Sequence, residues 1–252
     1  MISINFSNTD NKMGYIFKYV NHLVGKAIHS YRLLDDGDRI IVAVSGGVDS
    51  LLTLWFLDHW LKKAPISYEI LAVHLDMGFK DKPWPKLKEF LSERKIASYY
   101  EETNFGRLAH SSFNRAKSPC FLCSMLRRKR LFEIAYRFGF NKIALGHHQD
   151  DIIETFFMNM CFSGELSTMV PRQEMFKGLI TIIRPLSFVE KEKIDKVAKY
   201  LELPSQGSSC PSSKDSKREF IRQLLHSLYE SDSKIKGNIF HALKNVRLEY
   251  LL

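Results

Sequence analysis

Arg39-Ile40-Ile41-Val42-Ala43-Val44-Ser45-Gly46-Gly47-Val48-Asp49-Ser50 decides the fold class of this chain. Its first half is short, apolar and rich in β-branched residues, with Asp36-Gly37 before it and Ser45-Gly46-Gly47 after it. That is the pattern of a buried strand feeding a tight turn. Two adjacent glycines let the backbone turn sharply and carry N–H groups up to a ligand. A helix is expected from Ser50 to Lys62, with Leu51, Leu54, Trp55 and Leu57 at helical spacing. Its free N–H groups and positive dipole end then face the same spot. Ser45 and Ser50 add hydroxyl donors, and the whole reads as a cradle for phosphate. The loop is neither a Walker loop, since the Gly-Lys-Ser/Thr ending is missing, nor G-x-G-x-x-G.

Outward from this unit, short apolar runs alternate with helical patterns. Strands are expected at Glu69–Leu75, Ala97–Glu101, Lys142–Leu145 and Leu179–Ile183. Helices are expected at Lys86–Arg94, Phe121–Phe138 (stopped by Gly139), Gln149–Phe162 and Glu190–Glu202. Such alternation predicts an α/β fold with a parallel sheet of about five strands and helices on both faces. Ligands in these sheets sit outside the carboxyl ends of the strands. Residues 1–32 read as a helical lead-in, with a helix from Asn11 to Arg32, and residues 33–205 as the nucleotide-binding domain. Residues 206–252 read as a cysteine-bearing loop followed by C-terminal helices packed on the same domain.

The 252 residues are 45% hydrophobic and 26% charged, the balance of a globular protein with a substantial core. A net charge of +9 suits a polyanionic partner. Met1 to Lys18 has neither a signal sequence nor a membrane span, so a cytoplasmic location and no membrane partner are expected. Arg127-Arg128-Lys129-Arg130, with Arg107, Arg115 and Lys117 upstream and Lys214, Lys217 and Arg218 near the C-terminus, suits an RNA backbone steered toward the thiols.

Cys120, Cys123, Cys161 and Cys210 are too few for a disulfide scaffold. Cys120-Phe121-Leu122-Cys123 places two thiols at a helix start, where the dipole favours thiolate. Taken alone, the pair is half of a zinc site, a redox dithiol or part of an iron–sulfur site. Cys210 lies in a Ser-rich loop and has no packing duty there. Cys161 continues the apolar stripe of Ile153, Phe156, Phe157 and Met160 and is expected in the core. Gly146-His147-His148 follows a strand end and faces the glycine loop, while Asp150 and Asp151 open the next helix, where carboxylates serve as caps.

Ser45–Ser50 resembles the PP-loop of the ATP-pyrophosphatase superfamily. Together with Pro119–Ser124, Leu126-Arg127-Arg128, Gly146–Asp151, Ile183-Arg184-Pro185-Leu186 and Cys210, the chain resembles that superfamily's tRNA 2-thiocytidine synthetase branch, from about Tyr19 to the C-terminus. The resemblance implies a Rossmann-like adenine nucleotide alpha hydrolase fold that cleaves ATP between its α and β phosphates. It implies that Ser45, Gly46, Gly47, Asp49 and Ser50 hold the phosphates, with Asp49 on Mg2+. Ala43, Val44, His74, Leu75 and Asp76 would surround the adenine and ribose, with Gly146, His147 and Asp151 in the active site. Cys120, Cys123 and Cys210 would hold a [4Fe–4S] cluster with one iron free of protein ligands. The implied partners are tRNA and an external sulfur donor (a cysteine desulfurase or sulfide), with a homodimer as an expected assembly. Val48 departs from the branch, which more often has lysine there. A uridine thiolase, a lysidine-type ligase and a non-catalytic ATP- or RNA-binding module stand as alternatives.

Overall fold

The computed structural model describes residues 8–79, 84–114, 118–205, 210–211 and 216–251. In chain order these form α1 (Asn8–Ser30), β1 (Asp38–Ala43), α2 (Val48–Leu61), β2 (Tyr68–Asp76), α3 (Trp84–Glu93), β3 (Ser98–Glu102) and a short α4 (Phe105–Ala109). Then come α5 (Pro119–Phe138), β4 (Lys142–Ala144), α6 (Gln149–Ser163), β5 (Arg172–Met175), β6 (Ile180–Ile183), α7 (Lys191–Tyr200), α8 (Lys217–Ser231) and α9 (Ile235–Ala242).

The sheet order is β3-β2-β1-β4-β6-β5. The first five of these strands run parallel, as expected. The sixth, β5, was not expected: it pairs antiparallel with β6, Arg172 opposite Ile183 and Met175 opposite Ile180. Its Arg-Gln-Glu-Met sequence has no β-branched residue because it covers an edge rather than a core.

Strand alternation sorts the core onto two faces. Ile40 and Val42 pack with Leu51, Leu54, Phe56 and Leu57 of α2 and with Val20, Val24 and Ala27 of α1. Ile41, Val73 and Ile143 pack against Leu131, Ile134 and Ala135 of α5. Helix α1 is thus part of the main core. A third cluster joins Ile153 of α6 to Ile221 and Leu225 of α8, which seats the C-terminal helices on α6. Cys161 corrects the expectation of a core thiol. It is exposed, as are Met160 and Phe162, because the last turn of α6 projects beyond that cluster.

At the amino end of the sheet, Lys142 is buried with its ammonium 2.6 Å from Asp38, 2.8 Å from Asp35 and 3.1 Å from the Leu33 carbonyl. The Lys142 ammonium holds the Asp35 carboxyl below the usual carboxylate range. This ion cluster ties β1 to β4 at the end opposite the glycine loop. The chain leaves β1 toward β2 on one side and later places β4 on the other, so the β1–β4 crevice is the switch point where such sheets bind ligands.

Candidate active site

The loop after β1 turns at Gly46, whose φ of +88° suits glycine. Ser50 organises it from the first turn of α2. Its hydroxyl donates to the Gly47 carbonyl at 2.9 Å and accepts from the Ser45 N–H at 3.1 Å, and the Ser45 and Ser50 hydroxyls lie 3.2 Å apart. Gly47 is the N-cap of α2 and has no side-chain cap bond, so the helix opens with backbone donors facing the turn.

Across the crevice, the turn after β4 leans on this loop. A Cβ on Gly146 would meet the carbonyl carbon of Asp49 and the nitrogen of Ser50, each at 2.8 Å. Only glycine permits this approach. Between the two turns lies a cavity of about 270 Å³ walled by Ala43, Val44, Ser45, Asp49, Ser50, Val73, Leu75, Met77, Arg127, Gly146, His147 and Asp151, among others. Nine residues expected at the site therefore share one hollow, Ala43, Val44, Ser45, Asp49, Ser50, Leu75, Gly146, His147 and Asp151, while Gly47 caps the helix that opens beside it.

His74 is placed differently. Val73 and Leu75 face the cavity, so His74 points to the other side of the sheet, where its Nδ1 lies 2.7 Å from the Val44 carbonyl. Burial pushes its pKa down. Its link to the site is through the backbone of Val44.

His147 is held by a residue whose role was not foreseen. Arg184, buried just after β6, donates from Nε to His147 Nδ1 at 3.2 Å and from its two Nη groups to the Val170 carbonyl and Gln173 Oε1. With Nδ1 accepting, the neutral ring carries its proton on Nε2. Burial, reinforced by Arg184 and Arg127, lowers the His147 pKa to about 3. His147 is therefore a neutral donor. Asp151 has two duties: it lines the cavity, and its Oδ2 accepts the His148 N–H at 3.1 Å, capping α6. Asp150 does not reach the wall. It accepts from the Lys191 N–H at 2.8 Å and pairs with Lys236 at 2.5 Å, joining α6 to α7 and α9.

Lys191 also makes a contact the sequence did not announce. Its Nζ stands 2.5 Å from Asp49 Oδ1 and 3.0 Å from Asp195 Oδ1. Partial burial works against its charge, but Asp49 and Asp195 outweigh that and raise its pKa.

The thiols enter from α5. Ser118 caps the helix by accepting the Phe121 N–H at 3.3 Å, and Pro119 fills the first helical position. Cys120 is exposed and Cys123 half-buried, its Sγ 3.8 Å from Met77 Sδ in the cavity wall. Burial pushes the Cys123 thiol up, Arg127 opposes this, and Cys210 and Cys120 add to the rise. Cys210 is half-buried, and 206–209 and 212–215 on either side of it lie outside the described residues. The helix that follows, α8, is tied to α6 by Arg218, 3.5 Å from Asp151, and by Arg222, 2.9 Å from Glu154.

Arg127, one turn beyond Cys123, completes the wall. It stays open to solvent, yet the protein mass around the cleft disfavours its charge and pulls its pKa down. Among the described residues no three His, Cys, Asp or Glu side chains converge on a single metal ion. A larger groove of about 720 Å³ lies on the outer side of α5 between Phe121, Phe132, Tyr136 and Phe176. It gathers none of the expected site residues.

Residues 18–228 match the PP-loop domain family. A protein of Geotalea uraniireducens named tRNA-cytidine(32) 2-sulfurtransferase is 37% identical over 239 residues, covering 94% of this chain and 95% of its own. A Geobacter sulfurreducens protein of the same name is 36% identical over 238 residues, covering 94% of this chain and 93% of its own. Among solved structures, the U34-tRNA thiolase NcsA from Methanococcus maripaludis with its [4Fe-4S] cluster superposes with a TM-score of 0.76 at 21% identity, covering 95% of this chain and 81% of its own. That likeness is one of fold. Among the described residues no helix is long and apolar enough to cross a membrane. With its glycine cradle and opposed Gly146 turn in place, the chain belongs to the PP-loop family of tRNA-cytidine(32) 2-sulfurtransferases.

Proposed function

We propose that this chain thiolates C2 of a cytidine in tRNA at the expense of ATP, position 32 being the one in its relatives' names. The observation that carries the reading is Arg127. It lines the same cavity as Ser45, Asp49 and Ser50, and it stands one helical turn from Cys123 and senses its charge. Phosphate chemistry and sulfur chemistry thus share one wall.

In this reading the adenine lies against Ala43 and Val44, and the backbone donors and hydroxyls of Ser45–Ser50 take the β and γ phosphates. Asp49 suits Mg2+, which typically takes one or two carboxylates and completes its shell with phosphates and water. The cytosine C2 oxygen attacks the α-phosphorus, the α–β bond breaks and pyrophosphate leaves. Arg127 and the Nε2–H of His147 stabilise the charge that gathers on the α-phosphate. Asp151 offers a carboxylate to which a cytosine amino group can donate. Adenylation turns a poor leaving oxygen into AMP, which a sulfur nucleophile then displaces from C2.

Three cysteines suit a thiophilic group, and their mutual influence on Cys123 supports a common centre. Cys120, Cys123 and Cys210 would hold a [4Fe–4S] cluster, whose chemistry is to bind the sulfur atom and hand it on. The sulfur comes from a cysteine desulfurase or sulfide in the cytoplasm. An anaerobic assay with purified chain, ATP, sulfide and unmodified tRNA tests the proposal: pyrophosphate release should depend on tRNA, and 2-thiocytidine should form. Pyrophosphate release without tRNA, or an amine adduct on the base, overturns it.

A further inference from the structure

The loop that cradles phosphate carries no cation of its own. Ser45-Gly46-Gly47-Val48-Asp49-Ser50 holds one carboxylate and no base, so its own side chains oppose a triphosphate. Phosphate sites in proteins pair backbone donors with a lysine or arginine point charge. Arg127 lines the cavity from the thiol-bearing helix.

Lys191 is the cation that touches the loop itself. It reaches the loop through Asp49, at 2.5 Å, and its root is fixed: it opens α7, its N–H is held by Asp150 at 2.8 Å, and Ile194, Val197 and Ala198 bury the helix behind it. Asp49 is the second residue of α2, so the ammonium sits beside a helix N-terminus, against the dipole, and among the described residues Asp49 and Asp195 offset this. A polyanion arriving at the same helix end would relieve that opposition.

Resting on the nucleotide reading above, we propose that Lys191 is the pyrophosphate-binding cation of this site, parked on Asp49 until nucleotide arrives. On binding, its Nζ passes from Asp49 to a β- or γ-phosphate oxygen and Asp49 is left open. Lys191 remains protonated throughout and forms no covalent bond.

Calorimetry with magnesium pyrophosphate, ATP and AMP on wild-type, Lys191→Gln and Lys191→Arg chains tests this without turnover. Loss of one charge-assisted contact predicts that Lys191→Gln weakens pyrophosphate and ATP roughly tenfold or more and leaves AMP unchanged. Lys191→Arg should recover most of the loss. Equal or tighter pyrophosphate binding by Lys191→Gln overturns the inference, for then the lysine only occupies Asp49; so does an equal loss for AMP, which would mark a purely structural pair. If wild type itself binds neither ATP nor pyrophosphate, the nucleotide reading falls and this inference with it. Should Lys191→Gln fail to fold, acetylation of Lys191 in the wild-type chain decides: pyrophosphate should protect it and AMP should not, and failure of pyrophosphate to protect it overturns the inference.

Discussion

Gly146 and Ser50 stand in backbone contact across the β1–β4 crevice: a Cβ on Gly146 would lie 2.8 Å from the Ser50 nitrogen. The phosphate cradle therefore has two halves, and the second is a glycine turn about a hundred residues downstream of the first.

Gly146→Ala should force these turns apart, since the neighbours it meets are backbone atoms and not the tip of a flexible side chain. Overpacking of this kind costs about 1–3 kcal/mol. ATP affinity should fall tenfold or more by calorimetry, with iron and sulfide content unchanged. Wild-type affinity in Gly146→Ala would show that the contact does not shape the site.

The cradle was legible because it is local. A β-branched run, two glycines and a helix start lie within a dozen residues, and their expected positions agree with β1 and α2 to within about two residues. Parallel topology followed from alternation. What stayed hidden depends on chain reversal in space: Arg184 fixing the His147 tautomer, and Lys191 reaching Asp49 from 142 positions away. Polar edge strand β5 lacked the apolar alternation that marks a core strand, and the Cys161 stripe looked buried because helical spacing says nothing of where the partner surface ends.

His147 gives a pH signature. Its folded pKa is about 3 against an ordinary 6.5, so between these values the unfolded chain binds a proton that the folded chain refuses. Its contribution to stability is full above about pH 6.5 and is lost as pH falls toward 3. Urea unfolding from pH 4 to 7 should show a shallower pH slope for His147→Gln, by up to about 1.4 kcal/mol per pH unit. The adenylation rate should show no inflection from His147 between pH 5 and 9. Parallel stability slopes for the two chains would refute the assignment.

Lys142 tests the far end of the sheet. Lys142→Ala leaves Asp38, itself buried, without its cation, and losing one member of a buried pair costs about 3–5 kcal/mol. The denaturation midpoint should drop accordingly while ATP affinity at low temperature is retained, because the cluster lies at the opposite end of β4 from Gly146. A change below about 1 kcal/mol would mean that Asp38 finds another partner or water.

The most direct test of the central claim, that Cys120, Cys123 and Cys210 deliver sulfur at the nucleotide cavity, is mass spectrometry of tRNA nucleosides from a strain lacking this gene. Complementation would use wild-type, Cys210→Ser or Cys161→Ser chains. 2-Thiocytidine should disappear from the deletion strain, return with wild type and with Cys161→Ser, and stay absent with Cys210→Ser. Restoration of 2-thiocytidine by Cys210→Ser, or its persistence in the deletion strain, would contradict that claim.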